Sequence, residues 1–172
     1  MIRTLAVSLM LVSAPLAAMA SMSAKGGGKA VATIKDAAGK TVGTATVTDA
    51  GHGFKLTVSL KGAPAGERAL HLHTTGKCEG PGFTTAGPHW NPSSKQHGKD
   101  NASGPHAGDA PNITIMPNGK GTLTWEAHGG MFSSLLDADG AAVILHAKPD
   151  DYRSDPTGNA GDRIACGVFV RK

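Results

Sequence analysis

The residues best equipped for chemistry in this 172-residue chain are eight histidines: His52, His71, His73, His89, His97, His106, His128 and His146. His71 and His73 flank Leu72 in a run with strand character. The period of two puts both imidazoles on one face and Leu72 on the other. Alone, such a pair is more often two solvent-facing side chains. His146 ends the apolar run Ala141-Ala142-Val143-Ile144-Leu145 and, alone, would more often be structural. The long polar segment between them changes that balance. It holds His89, His97, His106 and Asp109 at gaps of eight, nine and three residues, enough chain for each to curl back to one point. Three imidazoles and a carboxylate make a closed tetrahedral zinc set. Metal binding would also supply the folding free energy that so polar a loop lacks. A mobile histidine-rich loop is the bland alternative, and it leaves His71, His73 and His146 unexplained as a second set.

These residues need a scaffold, and the rest of the chain describes one. Short runs with strand character cover 29–35, 41–48, 54–60 and 69–74, and then 112–116, 121–126, 141–147 and 163–170. The run Phe54-Lys55-Leu56-Thr57-Val58-Ser59-Leu60 alternates apolar and polar residues, the pattern of a half-buried strand. Turn residues divide the runs, with Asp36-Ala37-Ala38-Gly39 in a first hairpin and Asn118-Gly119 in a later turn. Residues 75–110 are rich in Gly, Pro, His and Ser, and a loop of that length in a compact domain is normally functional or held by something. A second polar loop covers 148–161. Helical stretches are few, and there is no internal repeat. The expectation is an all-β fold: an eight-stranded antiparallel Greek-key β-barrel or sandwich with two long functional loops.

The N-terminus reads as a secretory signal peptide over residues 1–20, with a charged Met1-Ile2-Arg3, an apolar stretch from Leu5 to Leu16 and Ala18-Met19-Ala20 at the cleavage position. Residues 21–28 read as a flexible lead-in and 29–172 as one domain. No segment is long enough for a confident membrane span, so no membrane association is expected after cleavage. The net charge of +4, falling to +3 once Arg3 is removed, is a mild basic bias without Lys/Arg blocks. Together with the scarcity of aromatics, that argues against nucleic acid as a partner. Two cysteines in an exported chain, Cys78 and Cys166, favour a disulfide over buried thiols or soft metal ligands.

With these residues in view, the chain resembles an exported, bacterial type of Cu/Zn superoxide dismutase. The stretches that carry the resemblance are His71-Leu72-His73, Ala86-Gly87-Pro88-His89-Trp90-Asn91-Pro92, His97-Gly98, His106-Ala107-Gly108-Asp109 and Leu145-His146. To these is added Thr157-Gly158-Asn159-Ala160-Gly161-Asp162-Arg163-Ile164-Ala165-Cys166-Gly167-Val168 near the C-terminus. The resemblance covers nearly all of the mature chain. It implies one copper and one zinc cation per subunit. Copper would be held by His71, His73, His89 and His146, and zinc by His89, His97, His106 and Asp109. His89 would bridge the metals as an imidazolate and carry a proton in catalysis. Asp150 would orient a histidine of each set, Cys78–Cys166 would pin the loop to the last strand, and Arg163 would dock superoxide beside copper. The implied reaction is dismutation of superoxide to dioxygen and hydrogen peroxide. The implied location is the periplasm, with the extracellular medium as alternative, and the family allows monomers or a homodimer.

Some positions depart from the family pattern. Ala69-Leu70 stands where Gly-Phe is usual, Trp90 replaces a Phe, and Phe169 an Ile or Val; all are packing positions. The loop after His146 is shorter than in animal members and lacks their glutamate–lysine cluster, which leaves Lys99, Lys148 and Arg153 as candidates for steering. His52 and His128 match no ligand and read as turn or surface residues. Among competing readings, a copper/zinc-binding buffer or delivery protein would be marked by a missing copper ligand or a missing arginine, and this chain has both. A zinc hydrolase needs an open zinc position, which the four-ligand set closes. A purely structural zinc barrel leaves the second set idle.

Overall fold

The structure, a computed structural model, describes residues 27–172. The expected signal peptide and residues 21–26 of the lead-in lie outside the described residues. Ten strands follow in chain order: β1 (Lys29–Asp36), β2 (Thr41–Asp49), β3 (Phe54–Lys61), β4 (Gly66–Arg68), β5 (Leu70–His73), β6 (Ile113–Ile115), β7 (Lys120–Ala127), β8 (Ala142–His146), β9 (Arg163–Val168) and β10 (Val170–Arg171). One α-helical turn, α1 (Phe132–Leu135), and a 3₁₀ turn at Thr84–Ala86 complete the elements. No helix among the described residues is long and apolar enough to cross a membrane.

All pairings are antiparallel. The main sheet runs β5-β8-β9-β1-β2-β3-β7, β10 adds to β1, and β4 pairs with β6 in a two-stranded ladder. The sheet curls into a barrel. On one side β9 and β10 close against β1, through Lys35↔Cys166 and Ala30↔Arg171. Between those two contacts lies Gly167, where a Cβ would stand 3.0 Å from the Thr33 carbonyl oxygen, so glycine allows the two backbones to approach. The eight expected strands are all present. The two additional elements come from subdivision near the fourth and last. Gly66–Arg68 is too short to show a period and was not legible beforehand. Phe169 interrupts the last strand by turning into the core, its N–H donating to the Ala141 carbonyl.

The alternation in β1 and β3 puts Ala30, Ala32, Ile34, Phe54, Leu56, Val58 and Leu60 into one core and leaves the intervening polar residues outside. Strands β5 and β8 differ, because every residue in both is buried. Their inner face, Leu70, Leu72, Val143 and Leu145, joins the main core. Their outer face carries His71, His73, Ala142, Ile144 and His146, and the two long loops cover it. Ala142 and Ile144 pack there with Phe83, Ala86 and Cys166 in a second, smaller core. The pairing Leu72↔Val143 and His71↔Ile144 fixes which face each residue takes, since a one-residue slip would exchange the faces.

Cys78 and Cys166 form the expected disulfide at a sequence separation of 88, and it ties the first loop to β9 beside the smaller core. Closing a loop of that size stabilises by about 4–5 kcal/mol in the chain-entropy account. Replacing both cysteines by serine should therefore lower the melting temperature of the metal-free protein by about 10–15 °C. Calorimetry on the wild-type and double-serine proteins checks this, and equal melting temperatures would contradict it.

Candidate metal centre

Three separated segments bring five of the expected site residues, His71, His73, His89, His106 and Asp109, to the outer face of β5 and β8. A closed cycle of backbone hydrogen bonds joins them. Trp90 N–H donates to the Leu72 carbonyl (2.7 Å), Gly108 N–H to the Trp90 carbonyl (2.8 Å), and Leu72 N–H to the Gly108 carbonyl (2.9 Å). Each member sits next to expected ligands: Leu72 between His71 and His73, Trp90 after His89, and Gly108 before Asp109. A Cβ at position 108 would lie 2.5 Å from the Leu72 oxygen and 3.1 Å from both Trp90 N and O, so only glycine fits there.

The side chains converge in two groups with His89 in both: His71, His73, His89 and His146, and then His89, His97, His106 and Asp109. All six histidines are buried. In the second group, His89 Nδ1 and His106 Nδ1 lie 2.9 and 3.2 Å from Asp109 Oδ1, and 3.4 Å from each other. His97 Nδ1 lies 3.1 Å from Asp109 Oδ2. A tetrahedron with bonds of zinc–imidazole length has edges of about 3.3 Å, so these spacings suit that ion.

Hydrogen bonds at the opposite ring nitrogens decide which nitrogen of each ring is free. His71 Nε2–H donates to Asp150 Oδ2 (2.8 Å) and His97 Nε2–H to Asp150 Oδ1 (2.9 Å). His73 Nδ1–H donates to the Gly87 carbonyl (2.8 Å) and His146 Nδ1–H to the Gly161 carbonyl (3.2 Å). The complementary atoms, His71 Nδ1, His73 Nε2 and His146 Nε2, are buried without a hydrogen-bond partner, as is His89 Nε2, whereas His97 Nδ1 faces Asp109 Oδ2. Buried polar atoms are nearly always satisfied. Four inward-facing lone pairs without a partner, together with the His89, His97 and His106 Nδ1 atoms gathered around Asp109, are the donor set that two cations would complete, and the residues present fit copper and zinc.

Electrostatics follow the same division. Burial, with the adjacent His89 ring and the Arg163 charge, pushes His73 down to about 2. Burial and the His71 ring hold His146 at about 3. Burial holds His89 at about 4, despite the Asp109 carboxylate beside it. Each of these rings therefore keeps its lone pair at neutral pH. His97 goes the other way. Burial opposes its charge, but its hydrogen bonds to the Asp109 and Asp150 carboxylates outweigh that and raise it to about 9. Asp109 and Asp150 are held well below the usual carboxylate range, because the histidine hydrogen bonds override the effect of burial.

Arg163 is the cross-strand partner of His146, placed there by a register shift in β8 between Leu145 and His146. Its guanidinium donates to the Phe83 carbonyl (2.9 Å) and to the Gly87 carbonyl (2.8 Å), the latter shared with His73. The other expected basic residues are exposed. Lys99 Nζ lies 4.3 Å over the Tyr152 ring, Lys148 runs beside Gly161, and Arg153 sits on the second loop. His52 and His128 are exposed, the first at a bend before β3 and the second directly after β7.

The chain is similar to known proteins. Residues 41–169 match the family described as copper/zinc superoxide dismutase (SODC). The chain belongs to the copper/zinc superoxide dismutase family. A superoxide dismutase [Cu-Zn] of Aquifex aeolicus is 40% identical over 149 residues, covering 82% of this chain and 86% of that one. One from Caulobacter vibrioides is 40% identical over 148 residues, 81% and 84% of the two chains. Among solved structures, a SOD-like protein from Bacillus subtilis superposes with a TM-score of 0.77 at 33% identity, over 81% of this chain and 97% of that one. The Cu/Zn superoxide dismutase of Brucella abortus gives 0.68 at 25% identity, over 81% and 98%.

Family motifs in the sequence led to the side chains but not to their supports. Asn112 and Asp150 exchange two hydrogen bonds, Asp150 N–H to Asn112 Oδ1 (2.8 Å) and Asn112 Nδ2 to the Asp150 carbonyl (3.0 Å). The Tyr152 hydroxyl accepts the Asn112 N–H at 2.9 Å. A Cβ at Gly158, which has φ +63°, would run into the Asp150 carboxylate and His97 Nε2. The carbonyls of Gly87 and Gly161 complete the set. Gly87, Gly158 and Gly161 lie within the family stretches, but the motif does not show that a carbonyl or a bare Cα there supports the site, and Asn112 lies outside those stretches.

The metal-free protein should be most stable near pH 6.5. Below it, His73, His89 and His146 take up protons in the unfolded chain but not in the folded one, so stability falls as pH drops from 6.5 towards about 3. Above it, His97 keeps its proton only when folded, and that contribution is lost as pH rises through about 9. A melting-temperature profile in the presence of chelator checks this, and a flat profile between pH 4 and 9 would contradict it.

Proposed function

We propose that this chain removes superoxide by dismutation, two superoxide anions and two protons giving dioxygen and hydrogen peroxide. We assign copper to His71, His73, His89 and His146, and zinc to His89, His97, His106 and Asp109. The observation that carries this reading is the convergence of two ligand groups on the shared His89, with His71 Nδ1, His73 Nε2, His89 Nε2 and His146 Nε2 left without a hydrogen-bond partner. When bound, copper supplies the one-electron redox couple and zinc supplies fixed charge on the shared ring. The remaining work falls to the chain. Asp150 and the Gly87 and Gly161 carbonyls hold the rings in the tautomers that leave the correct lone pair free. His89, oriented by Asp109, carries a proton at Nε2 in one half of the cycle and gives it up to the peroxide product. Arg163 offers a fixed positive charge to the anion. Burial lowers its pKa, but a guanidinium stays protonated at neutral pH. Its two carbonyl partners fix its place at an open depression lined by Pro81, Gly82, Thr84, Gly161 and Asp162.

The apolar leader ending at Ala20 supports export, and we place the mature protein in the periplasm. The buffer or delivery reading receives no support from the site, which keeps every ligand and the arginine.

Two variants test the assignment. His146→Ala should abolish superoxide decay above the uncatalysed rate while zinc content and fold persist; retained activity would remove the copper assignment. Arg163→Ala should keep both metals, slow turnover by about tenfold or more and weaken the dependence on ionic strength. Stopped-flow superoxide decay with metal analysis reads both, and an unchanged rate would reduce Arg163 to a structural role.

A further inference from the structure

A metal-bound histidine normally passes its second ring N–H to an acceptor that fixes its orientation and raises its basicity. In this site the acceptors are accounted for almost completely. His71 and His97 share Asp150, His73 uses the Gly87 carbonyl, and His146 uses the Gly161 carbonyl. His89 presents one nitrogen to each ligand set. His106 remains. Its Nδ1 faces Asp109 and His89, and among the described residues its Nε2 makes no hydrogen bond. The group facing that nitrogen is the carboxylate of Asp155, with Oδ1 at 3.8 Å.

We infer that Asp155 is a positioning residue for the zinc set, accepting the Nε2–H of His106 once Nδ1 is committed to the metal. The inference rests on the zinc assignment made above. Asp155 Oδ1 already accepts the backbone N–H of His97 at 2.5 Å, so the carboxylate is pinned between two members of that set. A movement of about 1 Å brings Oδ1 and His106 Nε2 to hydrogen-bond distance. Asp155 and His106 line one depression together with His89, Asn91, Lys95 and Pro156. The Asp155 side chain is 44% exposed and that of His106 7%, so the carboxylate stands between the ring and solvent. The second loop then delivers two carboxylates to the zinc histidines, Asp150 to His97 and Asp155 to His106. That gives this short loop a task its missing glutamate–lysine cluster would not reveal.

The test separates a charged orienting group from a mere acceptor for the His97 N–H. Asp155→Asn keeps an oxygen for His97 but loses the charge, whereas Asp155→Ala loses both. Zinc affinity, measured by chelator competition, should fall about 10- to 100-fold in both variants, with copper affinity unchanged and the metal-free melting temperature of Asp155→Asn at the wild-type value. The visible spectrum of cobalt substituted at the zinc site should change in both. In the zinc-loaded wild-type protein, the His106 Nε2–H should appear in nitrogen-edited NMR as a slowly exchanging proton. Wild-type zinc affinity and cobalt spectrum in Asp155→Asn, or a His106 Nε2–H lost to rapid exchange, would overturn the inference. His106→Ala serves as the control: if it still binds zinc with wild-type affinity, the ligand assignment itself has failed, whatever Asp155 does.

Discussion

Two ligand groups can share one imidazole only if the segments carrying them meet in a single register, and three peptide groups impose that register here. The cycle through Leu72, Trp90 and Gly108 ties strand β5 to two stretches of the first loop. Each hydrogen bond contributes only about 1 kcal/mol net. Their value is geometric. They place His71, His73, His89 and Asp109 relative to one another before any side-chain interaction is counted, and the bare Cα of Gly108 is what lets three backbones come so close. The barrel below supplies a rigid floor, because Leu72 sits in the main core while the histidines on either side face outward.

Packing six imidazoles together would be costly if they were charged. The site avoids that by keeping His73, His89 and His146 neutral and letting His97 hold its proton between two carboxylates. Asp150 connects the halves, with one oxygen on His71 and the other on His97. It is itself gripped through its backbone by Asn112, and Gly158 leaves the space it occupies. A change at Asp150 would therefore reach both ligand groups at once.

Much of this was legible in the sequence, for physical reasons that differ from part to part. Clean alternation revealed β3, and turn chemistry located the β1–β2 hairpin at Asp36–Gly39 and the turn into β7 at Asn118-Gly119, since both depend on nearest neighbours. The uninterrupted apolar run of β8 reads as a strand, and it is apolar on both faces because loops cover its outer face. Gly66–Arg68 stayed hidden because three residues cannot display a period, and the break at Phe169 reflects a tertiary contact with Ala141. In the site, histidine and aspartate spacing announced the side chains that converge. Asn112, Gly158 and the two glycine carbonyls did not announce themselves, because their roles exist only once the second loop has folded over the first.

The pairing of His146 with Arg163 across β8 and β9 has a bearing on how such proteins diversify. Both residues are held by the ladder between two central strands, and the sixteen residues joining them leave from one strand end and return to the other. That connection can lengthen, shorten or exchange its charges while the spacing between ring and guanidinium stays the same. Variation in how an anion is attracted is thereby uncoupled from the place where it arrives.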